Sequence, residues 1–258
     1  MYAERISERL LREYMNSVRN TRSHTEKRQN RDYSHNKLVL VPKFAGCRQE
    51  WGIYMIKNIV FDMGNVLTIY HQTEYIYGYV ENEEDFWWIK NHVCSSVEWI
   101  QMDRGVVSDD EAIASICKRV PTHLHHTVER FIREFRMVQP PNPPMEKLVK
   151  ELSENGYDMY LLSNTSYRFH SFSKFIKSIS YMKGIWISCE HKVIKPETAA
   201  YLDFFKTFGL KPEECFFVDD RPENVESAGN VGMKGCVYYG NVSELRQYLR
   251  ENGINIEA

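Results

Sequence analysis

Lys57-Asn58-Ile59-Val60-Phe61-Asp62-Met63-Gly64-Asn65-Val66-Leu67 decides how the rest of the chain is read. An apolar run ends abruptly in a carboxylate, then a glycine, then Asn-Val-Leu. That pattern predicts a parallel strand buried on both faces, delivering Asp62 to its carboxyl-terminal edge. Open α/β sheets bind ligands along that edge. Three later segments repeat the design, each ending in a chemically loaded tip: Tyr160-Leu161-Leu162-Ser163-Asn164-Thr165, Val193-Ile194-Lys195-Pro196-Glu197 and Phe216-Phe217-Val218-Asp219-Asp220.

Between and after these tips the chain alternates helices with strands. Helix 145–155, stopped by Gly156, leads into strand 157–162. A helix over 167–178 leads to strand 184–188. Lys195-Pro196-Glu197 opens a helix running to Phe208, with Pro196 in its first turn. Strand 215–218, helix 222–229, strand 235–239 and a last helix from Ser243 follow. Such alternation forces a mainly parallel, doubly wound α/β sheet covered on both faces, a Rossmann-like architecture.

Residues 71–138 break that rhythm. No strand is visible there, and helices are predicted over 72–80, 84–93, 95–102, 108–120 and 124–137, with Ser108 and Glu111 forming a capping box. The segment is rich in aromatics (Tyr75, Tyr77, Tyr79, Phe86, Trp87, Trp88, Trp99), expected mainly as core packing with one or two free to face a substrate. His123, His125 and His126 are spaced i, i+2, i+3 without a carboxylate close in sequence, which favours a solvated surface over a metal site. Pro140-Pro141-Asn142-Pro143-Pro144 is a stiff linker back to the sheet. The domain division expected is therefore a polar amino-terminal extension over 1–54, a core over 55–70 and 139–258, and a helical insertion over 71–138.

The chain has 258 residues, 43% of them hydrophobic, enough for one sizeable core plus an insertion. A net charge of -2 points to neither nucleic acid nor an anionic membrane as partner. No apolar run reaches the roughly 18 residues that a spanning helix needs. The amino terminus lacks the apolar centre of a secretory signal, so a cytoplasmic location is expected. The six cysteines are scattered without a Cys-x-x-Cys pair, which argues for reduced thiols rather than zinc. Residues 1–54 are basic and polar. Ile6, Leu10, Leu11 and Tyr14 suit one face of a short helix, and residues 17–36 read as disordered. The sequence carries no signal of oligomeric state.

Asp, Ser, Lys and Asp-Asp, in that order on successive tips, resemble the four motifs of the haloacid dehalogenase superfamily, from Met55 to the carboxyl terminus. Phe61-Asp62-Met63-Gly64-Asn65-Val66-Leu67, Leu162-Ser163-Asn164-Thr165, Lys195-Pro196-Glu197 and Phe216 to Val225 look most like the subgroup of glucose-1-phosphate phosphatases and the phosphatase domain of soluble epoxide hydrolases. The resemblance implies the superfamily's α/β core with 71–138 as a small cap, and makes Met55 the expected natural start. It also implies Mg2+-dependent hydrolysis of a small phosphorylated metabolite, such as a hexose 1-phosphate, through an aspartyl-phosphate on Asp62.

On that resemblance Asp62 is the nucleophile, and the ion is held by Asp62, the Gly64 carbonyl and Asp220, with Asp219 as supporting or shared ligand. An all-oxygen set of this kind suits Mg2+. Ser163 and the N–H groups of Asn164 and Thr165 are expected on the phosphate, Lys195 between Asp62 and the phosphate, and Asn224 on a metal-bound water. Gly64 is the departure, because most phosphatases of the superfamily place there a second Asp as general acid and base. Two substitutes are open: a good leaving group, such as a sugar 1-phosphate, or a donor from the cap side, for which His71 is the nearest titratable residue. Alternative readings are a catalytically weak phosphate-binding or regulatory protein, a dehalogenase, and a mutase, which needs the missing acid most.

Overall fold

A computed structural model describes residues 55–70, 72–135 and 141–257. The amino-terminal extension and His71 lie outside the described residues. Five strands form one all-parallel sheet: β1 (Asn58–Phe61), β2 (Asp158–Ser163), β3 (Met182–Ile187), β4 (Cys215–Asp219) and β5 (Lys234–Val237). Their order is β3-β2-β1-β4-β5. The chain builds outward from β1 through β2 to β3, then returns to the other side of β1 for β4. That reversal opens a crevice at the carboxyl-terminal ends of β1 and β4, where ligands bind in such sheets. Every residue of β1 and of β4 is buried, as the uninterrupted apolar runs require. Val60, Tyr160, Leu162, Trp186 and Phe217 join Tyr201 and Phe204 in one core cluster.

The chain leaves β1 into a helical insertion: α1 (Gln72–Tyr77), α2 (Glu83–Ile89) continuing as a π turn over Lys90–Cys94, α3 (Val97–Asp103), α4 (Asp109–Ile116) and α5 (His125–Glu134). The Ser108–Glu111 capping box forms as expected. Tyr75, Ile76, Phe86, Ile89, Met102 and Phe131 belong to a separate apolar cluster, against which Tyr79, Trp88 and Trp99 pack. Tyr77 and Trp87 are half exposed. The histidine group differs from expectation in one respect: His123 Nε2 lies 2.9 Å from Asp85 Oδ1, a carboxylate brought in by α2 across the tertiary fold.

The chain re-enters the core at Pro141, bridged to Thr68, and Asn142 donates its side-chain N–H to Val66 O at 2.9 Å. α6 (Pro143–Glu154) starts at once, since its two prolines occupy first-turn positions that need no N–H. The helix predicted over 167–178 is only one turn, α7 (Phe169–Phe172), followed by 3-10 turns. Serine explains the shortfall: Ser171 Oγ donates to Arg168 O at 2.6 Å, competing with helical pairing. A further short helix, α8 (Ser188–His191), follows β3 directly. Lys195 and Pro196 precede α9 (Thr198–Phe208) in a loop rather than opening it, and Val193–Ile194 is not a strand. The residue before proline is pushed away from helical geometry. α10 (Pro222–Asn230) and α11 (Val242–Glu251) complete the core. No helix among the described residues is long and apolar enough to cross a membrane.

Gly105 marks where the insertion meets the core. Its φ is +73°, and a Cβ there would overlap the backbone carbonyl of Cys189. Lys192 Nζ donates to Gly105 O at 2.5 Å, and Arg104 forms a two-pronged ion pair with Glu197. Gly105→Ala is expected to destabilise the protein by about 3 kcal/mol, through backbone strain and overpacking together. Thermal unfolding checks this, and an unchanged melting temperature would contradict the close approach.

Candidate active site

Asp62 follows the last residue of β1, with its own N–H donated to Val218 O at 2.9 Å. β4 thus holds the backbone on which the carboxylate sits. Lys195 Nζ lies 2.7 Å from Asp62 Oδ1 and 2.6 Å from Asp219 Oδ2, and its side chain is 1% exposed. Burial pushes Asp62 up to about 6, with Lys195 pulling it down and Asp219 pushing it further up. Burial works against the Lys195 ammonium, but the charges of Asp219 and Asp62 more than compensate and raise it. Lys195 is therefore a charged lysine between two carboxylates.

Asp219 is completely buried and fully engaged. Besides Lys195, it accepts the Arg221 N–H at 2.8 Å and both its oxygens lie 3.0 Å from Asn224 Nδ2. Asn224 is in turn held by Tyr201, whose hydroxyl donates to Asn224 O at 2.8 Å. Through these contacts Asn224 fixes Asp219. Asp220 is less buried, and burial also raises its carboxyl. One carboxylate oxygen from each of Asp62, Asp219 and Asp220 lies within 4.8 Å of the others.

Asn65 stands in the sequence motif without an assigned contact. It adopts φ 56°, a left-handed conformation that Asn tolerates better than most residues. From there Nδ2 donates to Asp220 Oδ2 at 2.8 Å while Oδ1 accepts the Tyr70 N–H at 3.0 Å. A Gly-Asn pair directly after a strand was the available signal. Gly64 faces open space: a Cβ there would meet only Asp62 Oδ2, at 3.9 Å.

Ser163 ends β2, 2% exposed, one strand over from Asp62. Asn164 braces Lys195 from both sides, its Nδ2 donating to Lys195 O and its Oδ1 accepting the Lys195 N–H, each at 2.8 Å. The expectation for Thr165 is corrected, because its N–H is donated to Ser188 Oγ at 2.9 Å. A serine from α8, distant in sequence, takes the donor that a phosphate was expected to use.

The arrangement presents a carboxylate held by a lysine, beside two further acids, at a sheet edge. Three carboxylates around one ammonium leave excess negative charge at a largely buried place, and every donor atom is oxygen. That chemistry fits a hard divalent cation. Asp220 and Asp62 have oxygens to offer, while Asp219 is occupied in holding Lys195 and Asn224.

Residues 56–232 match the haloacid dehalogenase-like hydrolase family. Flavin mononucleotide hydrolase 1 of Arabidopsis thaliana is 29% identical over 114 residues, covering 44% of this chain but only 46% of that protein. Sesquiterpene phosphatase astK of Aspergillus oryzae is 27% identical over 197 residues, covering 75% of this chain and 96% of that protein. In fold the chain resembles a predicted HAD-like family hydrolase from Porphyromonas gingivalis, with a TM-score of 0.58 at 20% identity over 76% of this chain and 98% of that one. It also resembles a HAD family enzyme from Bacteroides thetaiotaomicron in complex with magnesium and inorganic phosphate, with a TM-score of 0.58 at 21% identity over 74% and 98%.

Proposed function

The chain belongs to the haloacid dehalogenase-like hydrolases, and from that premise we propose that it is a Mg2+-dependent phosphatase of a small phosphate monoester. The observation that carries this reading is the bond pair from Lys195 Nζ to Asp62 and Asp219, next to the carboxylate of Asp220. A dehalogenase has no need of three clustered acids, whereas a phosphate ester brings two or more negative charges toward Asp62 and requires positive charge there.

In this reading Asp62, the Gly64 carbonyl and Asp220 hold Mg2+, with Asp219 supporting from behind. When bound, the ion neutralises charge on the transferring phosphoryl group. Lys195 keeps Asp62 ionised and oriented and meets the phosphate together with Ser163 and the Asn164 N–H. Asp62 Oδ attacks phosphorus, the ester oxygen departs, and water then cleaves the aspartyl-phosphate, releasing phosphate and restoring Asp62. Helices 72–135 form the cap that covers this site and selects the substrate.

The two named relatives act on a flavin mononucleotide and on a sesquiterpene phosphate. Such different leaving groups leave the substrate class at small phosphorylated metabolites, and the good leaving group of a hexose 1-phosphate suits Gly64 best. Gly64 also favours the second reading, a phosphate-binding protein of weak turnover. Phosphate release from sugar 1-phosphates, sugar 6-phosphates and p-nitrophenyl phosphate, in Mg2+ or EDTA, separates the two. Turnover that needs Mg2+ supports the phosphatase. A folded protein that binds Mg2+ yet releases no phosphate from any ester supports the binding protein.

A further inference from the structure

Chain connectivity joins the helical insertion to the core at one place. The chain leaves at Leu67 and Thr68 and returns at Pro141 and Asn142, and the two crossings are tied together: Thr68 bridges Pro141, and the Asn142 N–H donates to Leu67 O at 3.2 Å. A second junction lies where no chain crosses. There residues 103–109, from the end of α3 to the start of α4, meet three core loops. Ser188 Oγ, just after β3, donates to Asp103 O at 2.5 Å. Arg104 pairs in two prongs with Glu197, and its Nη1 also donates to Lys192 O at 3.5 Å. Lys192 Nζ returns the contact to Gly105 O and donates as well to the Tyr167 hydroxyl at 2.9 Å. Arg168, in the loop after β2, places Nη1 2.7 Å from Asp109 Oδ1.

We propose that residues 103–109 are a salt-sensitive latch that holds the helical insertion against the core, with the tied crossings at Leu67 and Pro141 as the fixed side about which it opens. Arg104 and Arg168 are the positioning residues of this latch. That its opening admits substrate rests on the phosphatase reading above. Among the described residues, both ion pairs that join the insertion to the core fall within this one segment.

The two junctions differ in what breaks them. At the crossings, covalent chain and backbone hydrogen bonds hold the parts together whatever the ionic strength. At the latch, the Arg104 and Glu197 side chains are 29% and 41% exposed, so water and salt reach the pair and weaken it. Gly105 meets Cys189 with bare backbone, and Val106 beside it is exposed, so the segment brings little apolar surface of its own. A segment held in this way opens at lower cost than a packed core. The latch also closes onto the loops of the candidate site. Glu197 lies two residues past Lys195, in a turn closed by its N–H donating to Ile194 O at 2.9 Å, and Arg168 lies in the loop that continues from Ser163 and Asn164.

The test is native-state hydrogen exchange on wild type, Arg104→Gln, Glu197→Gln and the charge swap Arg104→Glu with Glu197→Arg, in about 0.05 M and about 1 M NaCl. At low salt, amide exchange over 103–109 and at Thr165 is expected to be about fivefold faster in either single variant than in wild type, with β1 and β4 unchanged. High salt brings wild type toward the variants, and the charge swap restores most of the protection. On p-nitrophenyl phosphate, KM of Arg104→Gln should rise about fivefold while kcat stays within about twofold, the signature of altered access rather than altered chemistry. Equal exchange in all four proteins overturns the latch, and so does faster exchange that spreads evenly into β1 and β4. Exchange as expected, without wild-type release of phosphate from the ester, upholds the latch and overturns the phosphatase reading and the access role with it.

Discussion

Asp62→Asn is expected to lower turnover by about 10⁴-fold or more while leaving the metal-free protein more stable than wild type at pH 8. The loss follows from the role proposed for Asp62, whose carboxylate oxygen would form the bond to phosphorus. The gain follows from burial, which lifts the Asp62 carboxyl from 3.8 to about 6 in the folded state. A carboxyl raised on folding favours its protonated form, so its ionisation is a penalty that is absent below the unfolded value and complete above the folded one. A rise of that size corresponds to a penalty on the order of 3 kcal/mol at pH 8 and almost none at pH 4. Asparagine removes that penalty, and Lys195 keeps Asp219 as its partner. Thermal unfolding in EDTA should therefore show the variant ahead of wild type at pH 8 and level with it at pH 4. A variant less stable at pH 8 would mean that Lys195 needs both carboxylates, and normal phosphate release would remove Asp62 from the nucleophile's role.

Lys195→Met is expected to be the most damaging single change to the site, destabilising the fold by about 3–5 kcal/mol, because removing one partner leaves buried charge uncompensated. Asp62 and Asp219 would then face each other without their shared cation. The Asp62 carboxyl would be driven further upward, so the deficit should be largest at pH 8 and shrink as the pH falls and a proton replaces the lysine. A second substitution tests the cause: Lys195→Met with Asp219→Asn should recover part of the lost stability without recovering activity. If the single variant melts with wild type at pH 8, the ammonium is not what reconciles these acids, and its role would be confined to the substrate phosphate.

The sheet was legible in the sequence because its evidence is local. A strand covered on both faces has no polar side to present, so Asn58–Phe61 and Cys215–Asp219 read as unbroken apolar runs. Abrupt ends in Asp62, Ser163 and Asp219-Asp220 were visible for the same reason, and so was the Ser108–Glu111 cap. The predicted helix over 167–178 failed where serine side chains compete for the backbone, and Lys195 proved to sit in a loop.

Only the tertiary structure could decide which group each side chain meets. Asn164 braces Lys195 across 31 residues, Ser188 reaches Thr165 across 23, and Asn65 reaches Asp220 across 155. Ser188 reaches the Asp103 carbonyl across 85 residues, beside the glycine-tight junction of Gly105 with Cys189. Hydrogen bonds and the pKa values they govern depend on distance and burial, which a linear pattern does not encode. The sequence by itself determined the strands and the acids at their tips. Folding decided which of those acids share a lysine and which is held by Asn65.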